Sequence, residues 1–152
     1  MPKTELRTEV EINAPAAHVY RVLTDFASYH EWNPFIPSIT GKLAVGEELS
    51  LEVSLPEGKS YLLKPRVTLL SENAELRWRG SYLSPILLEA EHFFLVMDQG
   101  QRLTRFVQGE NFSGVLLRFA NNALTLTARG LVYMNQALKK RAEGTLVPLP
   151  HH

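Results

Sequence analysis

Cysteine is absent from this chain of 152 residues. Its absence excludes disulfide bonds, thiolate catalysis and cysteine-ligated metal sites. A chain without cysteine also suits a reducing compartment, and we therefore expect a cytoplasmic protein.

Excess charge and long apolar runs are missing as well. Sixteen Lys and Arg residues balance sixteen Asp and Glu residues, so no net field attracts a polyanion, and we predict no nucleic-acid partner. The longest apolar run, residues 93–97, is far shorter than the roughly 20 residues of a membrane-spanning helix. Charges between Lys3 and Glu9 interrupt the apolar stretch that a secretory signal needs. We predict no membrane insertion.

Several chemical motifs are also lacking. His18 and His30 are too far apart in the sequence to form a zinc-binding pair on one element, and His92 is remote from both. Neither a glycine-rich phosphate loop nor a Gly-x-Ser-x-Gly nucleophile motif occurs. The sequence therefore predicts no metal site and no cofactor.

Alternation of apolar and polar residues predicts seven strands. They cover residues 6–12, 39–45, 49–55, 61–69, 76–82, 88–97 and 102–110. Residues 56–59 and 98–101 have the composition of hairpin turns. Arg77 and Arg79 fall on the solvent-facing side of their strand, where we expect an ordinary charged surface.

Helical spacing of apolar residues predicts one short helix and one long one. Asn13 before Pro15 is a candidate cap for the short helix, which ends near residues 25–28, and at most another helical turn fits within residues 29–37. The long helix is predicted over residues 115–141, with Gly144 as its stop. Its apolar stripe consists of Leu116, Ala120, Ala123, Leu124, Leu131, Met134 and Leu138.

The order of these elements limits how they can pack. An antiparallel meander must cover its apolar face, and the C-terminal helix is the only predicted element long enough to do so. A curled sheet need not be filled by one helix, so a cavity is expected between them. We predict an α+β fold in which a curved antiparallel sheet of about seven strands wraps around the helix, with two short helices after the first strand. Residues 1–144 are expected to form one ligand-binding domain, and residues 145–152 a tail whose terminal histidines resemble a purification tag.

An ordered set of motifs resembles a known superfamily. Ile12-Asn13-Ala14-Pro15, Trp32-Asn33-Pro34-Phe35, Leu76-Arg77-Trp78, Glu91-His92-Phe93-Phe94 and Glu110-Asn111-Phe112-Ser113-Gly114 resemble, in this order, the SRPBCC proteins. These are START-like helix-grip proteins, and the resemblance is to their polyketide cyclase/dehydrase-type branch. It implies a helix-grip fold with a pocket for a lipid-, polyketide- or aromatic-like molecule. No catalytic motif of that branch can be transferred to particular residues here.

Polar residues on the inward faces of strands are the candidates for chemistry, because a buried polar group needs a partner or a ligand. His92 is one, and Gln108 and Glu110 are others. If the turn at 98–101 sets an even register, His92 lies beside Gln108, and Glu110 lies nearer the opening by Ala90.

His92 is the candidate general acid or base, or a hydrogen-bonding partner for a ligand. The alternative is a histidine with a purely structural role. Glu110 has alternatives too, since it could pair with Arg105 or Arg118 or cap the long helix.

Apolar and aromatic side chains are expected to wall the cavity, with ordinary core packing as the alternative. The candidates are Trp32, Phe35, Trp78, Tyr82, Phe94, Phe106, Leu124 and Met134.

Three functions are compatible with these residues and with the expected cavity. The first is the binding or transport of a small, mainly apolar molecule. The second is a cyclase or dehydratase that uses His92 as its acid or base, and the third is a protein-interaction module. Whether the protein is a monomer or a homodimer stays open.

Overall fold

A computed structural model describes residues 2–82 and 84–147. These residues form eight strands, three α-helices and three 3₁₀ turns. The strands are β1 (Lys3–Ile12), β2 (Ser38–Thr40), β3 (Ser50–Ser54), β4 (Ser60–Leu63), β5 (Arg66–Ser71), β6 (Glu75–Ser81), β7 (Glu89–Asp98) and β8 (Thr104–Ser113). The helices are α1 (Ala16–Thr24), α2 (Tyr29–Trp32) and α3 (Asn121–Thr145), and the 3₁₀ turns are Phe26–Ser28, Pro56–Gly58 and Val115–Phe119. The terminal histidines lie outside the described residues.

The strands form two antiparallel sheets. One has the order β1-β8-β7-β6-β5 and the other the order β2-β3-β4. The prediction of one strand over residues 61–69 was wrong, because the chain leaves one sheet and enters the other at Lys64 and Pro65. Proline has no N–H for a strand ladder, and the carbonyl of Pro65 instead accepts from the backbone N–H of Leu49 at 2.8 Å. The α+β class and the long C-terminal helix are confirmed.

Helix α3 begins and ends later than predicted. The backbone N–H groups of Val115 and Leu116 donate to the carbonyls of Ile86 and Leu87, which holds residues 115–119 against the β6–β7 connection as a 3₁₀ turn. At the other end the helix continues through Gly144 to Thr145, so Gly144 is not its stop.

The buried face of α3 is shifted relative to the predicted stripe. Leu131, Met134 and Leu138 are fully buried as predicted, whereas Leu116, Ala120, Ala123 and Leu124 are half-buried or exposed. Leu126, Gly130, Asn135 and Ala142 complete the buried face. The stripe therefore holds for the C-terminal half of the helix, which packs against β1.

The turn between β1 and α1 is tied to the end of α3. Pro15 occupies the N-cap position of α1, so the predicted cap by Asn13 was wrong. The backbone N–H and side-chain amide of Asn13 donate instead to Glu143, at 2.8 and 3.2 Å. Lys139 also donates to Glu143, at 2.7 Å. Hydrogen bonds from Lys139 and Asn13 hold the pKa of Glu143 below its usual value.

The aromatic connector between α2 and β2 directs two apolar residues inward. The side-chain oxygen of Asn33 accepts from the backbone N–H groups of Phe35 and Ile36, at 3.0 and 2.8 Å. Phe35 and Ile36 are each 1% exposed. Tyr29 anchors the same connector through a hydrogen bond from its hydroxyl to the carbonyl of Leu23, and burial raises the pKa of this tyrosine.

The outer face of β6 and β7 carries ion pairs, as predicted for a solvent-facing surface. Arg77 contacts Glu75 and Glu91, and Arg79 contacts Glu89 and Glu91. Burial by itself acts to raise the pKa of Glu91, but hydrogen bonds from the two arginines outweigh it and leave this pKa lowered. No helix in residues 2–82 and 84–147 is long and apolar enough to cross a membrane.

Candidate ligand-binding site

A cavity of about 380 Å³ lies between the β3–β4 hairpin, the inner face of β6–β8 and the N-terminal half of α3. Apolar side chains form most of its wall, and polar ones contribute at a few positions. The lining residues are Phe35, Ile36, Leu51, Val53, Leu55, Tyr61, Leu63, Lys64, Pro65, Trp78, Gly80, Ser81, Tyr82, Leu88, Ala90, His92, Glu110, Phe112, Ala123 and Thr127.

Five of the residues predicted for the site line this cavity: Phe35, Trp78, Tyr82, His92 and Glu110. The other six, which are Trp32, Phe94, Phe106, Gln108, Leu124 and Met134, lie outside its lining. Phe94, Phe106 and Met134 are fully buried in the core, and Trp32 packs against Tyr29 with ring centroids 5.1 Å apart. The inward orientation of a side chain on a strand or helix therefore does not predict whether it lies in the core or in the cavity wall.

The β3–β4 hairpin supplies wall residues that the sequence-based prediction missed. Leu51, Val53 and Leu55 alternate along the first strand and its end, and Tyr61 and Leu63 follow on the second. Alternation of this kind predicts only that one face is buried. The alternation does not show that this face covers a cavity, because the hairpin belongs to a sheet separate from the main one.

The register of β7 and β8 differs from the predicted one by two residues. His92 lies opposite Glu110, and Phe94 lies opposite Gln108. The connecting loop is longer than predicted, because β7 ends at Asp98 and β8 begins at Thr104. Two loop residues, Gln101 and Arg102, have left-handed backbone conformations with φ of 53° and 60°. The shift is even, so the three polar residues still share the inward face.

A chain of hydrogen bonds leads from His92 to the first strand. His92 Nε2 lies 2.8 Å from Gln108 Oε1, and Gln108 Nε2 donates to Asn135 Oδ1 at 2.7 Å. Asn135 Nδ2 donates to the hydroxyl of Thr8 at 2.8 Å, and that hydroxyl donates to the backbone carbonyl of Gln108 at 2.8 Å. His92, Gln108 and Asn135 are at most 5% exposed.

The backbone carbonyl of Gln108, at the end of this chain, determines which group donates in each of its hydrogen bonds. A backbone carbonyl only accepts, so the hydroxyl of Thr8 must donate to it and accept from Asn135. Asn135 then accepts from Gln108 through its oxygen, and the oxygen of Gln108 is left to accept from His92. The proton of His92 therefore lies on Nε2, and Nδ1 faces Glu110 at 3.2 Å.

Aromatic rings surround His92. Its ring stacks on Phe94 with centroids 4.4 Å apart and lies 5.3 Å from the Trp78 ring. Phe35 packs on it from the connector, at 6.4 Å. With both ring nitrogens engaged and aromatic rings packed around it, the imidazole is held in one orientation.

Glu110 completes the polar group of the cavity. Its side chain is 13% exposed, and one carboxyl oxygen faces His92 Nδ1. Among the described residues, the pairing with Arg105 or Arg118 that the sequence allowed is not found, because Glu110 pairs with His92. The position of Glu110 in the cavity lining makes it the polar group best placed to meet a ligand.

A second depression, of about 400 Å³, lies on a charged part of the surface. Its lining includes Arg79, Glu89 and Glu91, which are already engaged in the ion pairs of the outer face. We assign it to the solvent-facing surface.

A sheet wrapped around a long C-terminal helix, with an apolar cavity between them, defines a START-like helix-grip protein. The sequence profile of the family described as polyketide cyclase / dehydrase and lipid transport matches residues 3–143. The chain therefore belongs to this family, within the START/SRPBCC superfamily.

Solved structures share the fold at low sequence identity. An aromatase/cyclase from Streptomyces sp. R1128 is 16% identical with a TM-score of 0.77, over 93% of this chain and 94% of that one. A START superfamily protein from Mycobacterium smegmatis is 21% identical with a TM-score of 0.74, over 93% and 99%. Norcoclaurine synthase from Thalictrum flavum, in complex with dopamine and hydroxybenzaldehyde, is 15% identical with a TM-score of 0.73, over 97% and 90%. No curated protein matches the sequence.

Proposed function

We propose that this protein binds and carries a small, mainly apolar molecule in the cavity between the β3–β4 hairpin, the main sheet and α3. The observation that carries the proposal is the cavity itself, whose volume of about 380 Å³ lies within the usual range for small-molecule sites. Family membership supports it, since lipid transport is part of the family description. The absence of cysteine and of net charge favours a cytoplasmic carrier without a nucleic-acid partner.

The composition of the wall favours one class of ligand. Aliphatic side chains of the hairpin and the aromatic rings of Phe35 and Trp78 line the same cavity, which suits a flat or aromatic molecule. The solved norcoclaurine synthase complex, which holds dopamine and hydroxybenzaldehyde, supports a ligand of aromatic type in a related fold. A ligand of this kind gains affinity mainly from the removal of apolar surface from water.

Catalysis of the cyclase or dehydratase type is a second candidate. One observation favours it, namely that the Glu110 carboxyl lines the cavity beside a histidine. The two ring nitrogens of His92 are engaged with Gln108 and Glu110, so direct proton exchange with a substrate would fall to Glu110.

A blocking substitution tests the carrier function. Thr127 lines the cavity, whereas Thr125 is exposed on the same helix and lies outside the lining. Both hydroxyls donate to the backbone carbonyl four residues earlier, so the two positions are closely matched. Thr127→Trp should fill part of the cavity, and Thr125→Trp should leave it open.

The measurement is the fluorescence of N-phenyl-1-naphthylamine, a neutral apolar probe. The wild type and Thr125→Trp should bind it alike, and Thr127→Trp should bind it at least about tenfold more weakly, equivalent to roughly 1.4 kcal/mol. Circular dichroism should show the same fold for all three proteins. The carrier proposal fails if the wild type does not bind the probe or if both variants bind it equally.

A further inference from the structure

We propose that the cavity selects apolar molecules that carry a hydroxyl group, and that this hydroxyl donates a hydrogen bond to Glu110. The inference rests on the proposed function, because it names the class of ligand for the same cavity. It follows from the hydrogen-bond chain behind His92 and from the position of Glu110 at the end of that chain.

The chain leaves Glu110 as the polar group that can meet the ligand. His92 Nε2 donates to Gln108, and Nδ1 faces one oxygen of Glu110, so the ring has no nitrogen left for a ligand. Of the two carboxyl oxygens of Glu110, one is engaged with His92. The other has no hydrogen-bond partner among residues 2–82 and 84–147, and the residue lines the cavity.

The unengaged oxygen is an acceptor wherever the proton of the His92–Glu110 pair lies. If Nδ1 carries the proton, Glu110 is a carboxylate and both of its oxygens accept. If the oxygen facing Nδ1 carries it, the other oxygen is the carbonyl of a carboxylic acid and still accepts. The cavity therefore presents an acceptor in both arrangements, and a ligand that displaces water from this oxygen must supply a donor to replace the lost hydrogen bond.

A hydroxyl is a ligand group that satisfies this requirement. A ketone or ester carbonyl has no hydrogen to donate, and a ligand carboxylate would place a second negative charge beside the pair. Of the other polar groups of the lining, Lys64, Ser81 and Tyr82 are exposed, and the hydroxyl of Thr127 donates to the backbone carbonyl of Ala123. Glu110, with a side chain 13% exposed, is the inner contact.

Two probes of nearly the same shape test this selection. The 2-naphthol molecule carries a hydroxyl where 2-methylnaphthalene carries a methyl group, and both are neutral near pH 7. Their affinities are measured by displacement of N-phenyl-1-naphthylamine from the wild type, Glu110→Gln and Glu110→Leu. For each protein, the affinity for 2-naphthol is divided by the affinity for 2-methylnaphthalene. The different water solubility of the two probes affects this ratio equally in every protein, so it cancels when the proteins are compared.

The ratio should depend on the acceptor at position 110. Glu110→Leu should reduce the preference for 2-naphthol by about tenfold or more, because the hydrogen bond from the ligand hydroxyl to position 110 is lost. Glu110→Gln should keep most of the preference, since its amide N–H₂ can donate to His92 Nδ1 while its oxygen accepts from the ligand. Thr125→Ala, at an exposed position of α3 outside the cavity lining, should leave the ratio unchanged.

A measurement on the wild type covers the case in which Glu110→Leu does not fold. In protein labelled with ¹³C at glutamate side chains, 2-naphthol should shift the carboxyl resonance of Glu110 more than 2-methylnaphthalene does. Hydroxyl selection is overturned if both probes shift it equally, or if both probes bind with a ratio that position 110 does not change. In that result the carrier function stands, whereas failure of both probes to bind the wild type would remove both proposals.

Discussion

The buried amide of Asn135 offers a sharp test of the hydrogen-bond chain. Asn135 lies on α3, 2% exposed, and joins Gln108 on β8 to Thr8 on β1. Asn135→Leu keeps the approximate size of the side chain but removes both hydrogen bonds. It leaves the side-chain N–H of Gln108 buried without its acceptor.

The expected loss of stability is about 2 to 4 kcal/mol. Each of the two hydrogen bonds contributes roughly 1 kcal/mol, and a buried donor without an acceptor costs about 1 to 3 kcal/mol more. Burial of the leucine methyl groups offsets part of this cost. A double-mutant cycle with Gln108→Leu and Asn135→Leu measures the coupling free energy between the two side chains. This coupling free energy should be about 1 to 3 kcal/mol.

Urea unfolding followed by circular dichroism measures these free energies, provided that the slope of the transition is unchanged. Gln136→Leu is the matched control, because it replaces an exposed amide next to Asn135 on the same helix and should stay within about 0.5 kcal/mol of the wild type. Equal effects of Asn135→Leu and Gln136→Leu, or strict additivity in the double variant, would refute the chain.

Three further predictions concern glycines of α3 and the charged outer face. Gly130→Ala should destabilise the protein by about 1 to 3 kcal/mol and weaken probe binding, because the new Cβ would lie 2.3 Å from the Phe35 ring. Gly144→Ala should instead raise the free energy of unfolding by up to about 1 kcal/mol, and with it the urea midpoint, since the new Cβ would meet no described atom within 4 Å beyond its chain neighbours and its own helix backbone, and alanine favours the helix; an unchanged or lower midpoint would contradict this. Glu91→Gln should cost about 1 kcal/mol near neutral pH. Because the pKa of Glu91 is lowered in the folded state, its contribution is present above the ordinary value of 4.5 and is lost as the pH falls through the folded pKa. The wild type should therefore lose more stability than Glu91→Gln between neutral and acid pH, and parallel losses in the two proteins would contradict the assignment.

The inward polar residues show which features of the site strand periodicity can predict and which it cannot. Side chains alternate along a strand, so His92, Gln108 and Glu110 could be placed on one face from their spacing alone. Their pairing could not, because it depends on the left-handed conformations of Gln101 and Arg102 in the connecting loop. Neither residue is a glycine or an asparagine, the types that usually indicate this conformation.

The sequence-based prediction of the site did not include Asn135 and Thr8, although the sequence contains a signal for each. Asn135 is four residues after Leu131 and three before Leu138, which places an amide on the apolar stripe of the helix. Thr8 occupies an inward position of the first strand between Leu6 and Val10. A polar residue on an apolar face needs a partner, but its identity requires the packing of α3 on β1 and β8.

Local patterns in the chain were sufficient for the α+β class, the long C-terminal helix and the inward direction of the polar residues. These properties depend on spacing between near neighbours, which the backbone geometry of helices and strands turns into faces. The division of inward side chains into core and cavity wall was decided only by tertiary structure. Met134 and Phe94 fill the core while Trp78 and Thr127 border the cavity, because a space is left between the strands of the β3–β4 hairpin and the N-terminal half of α3. The size of that space depends on contacts between residues distant in the sequence, so the local periodicity of apolar residues cannot predict it.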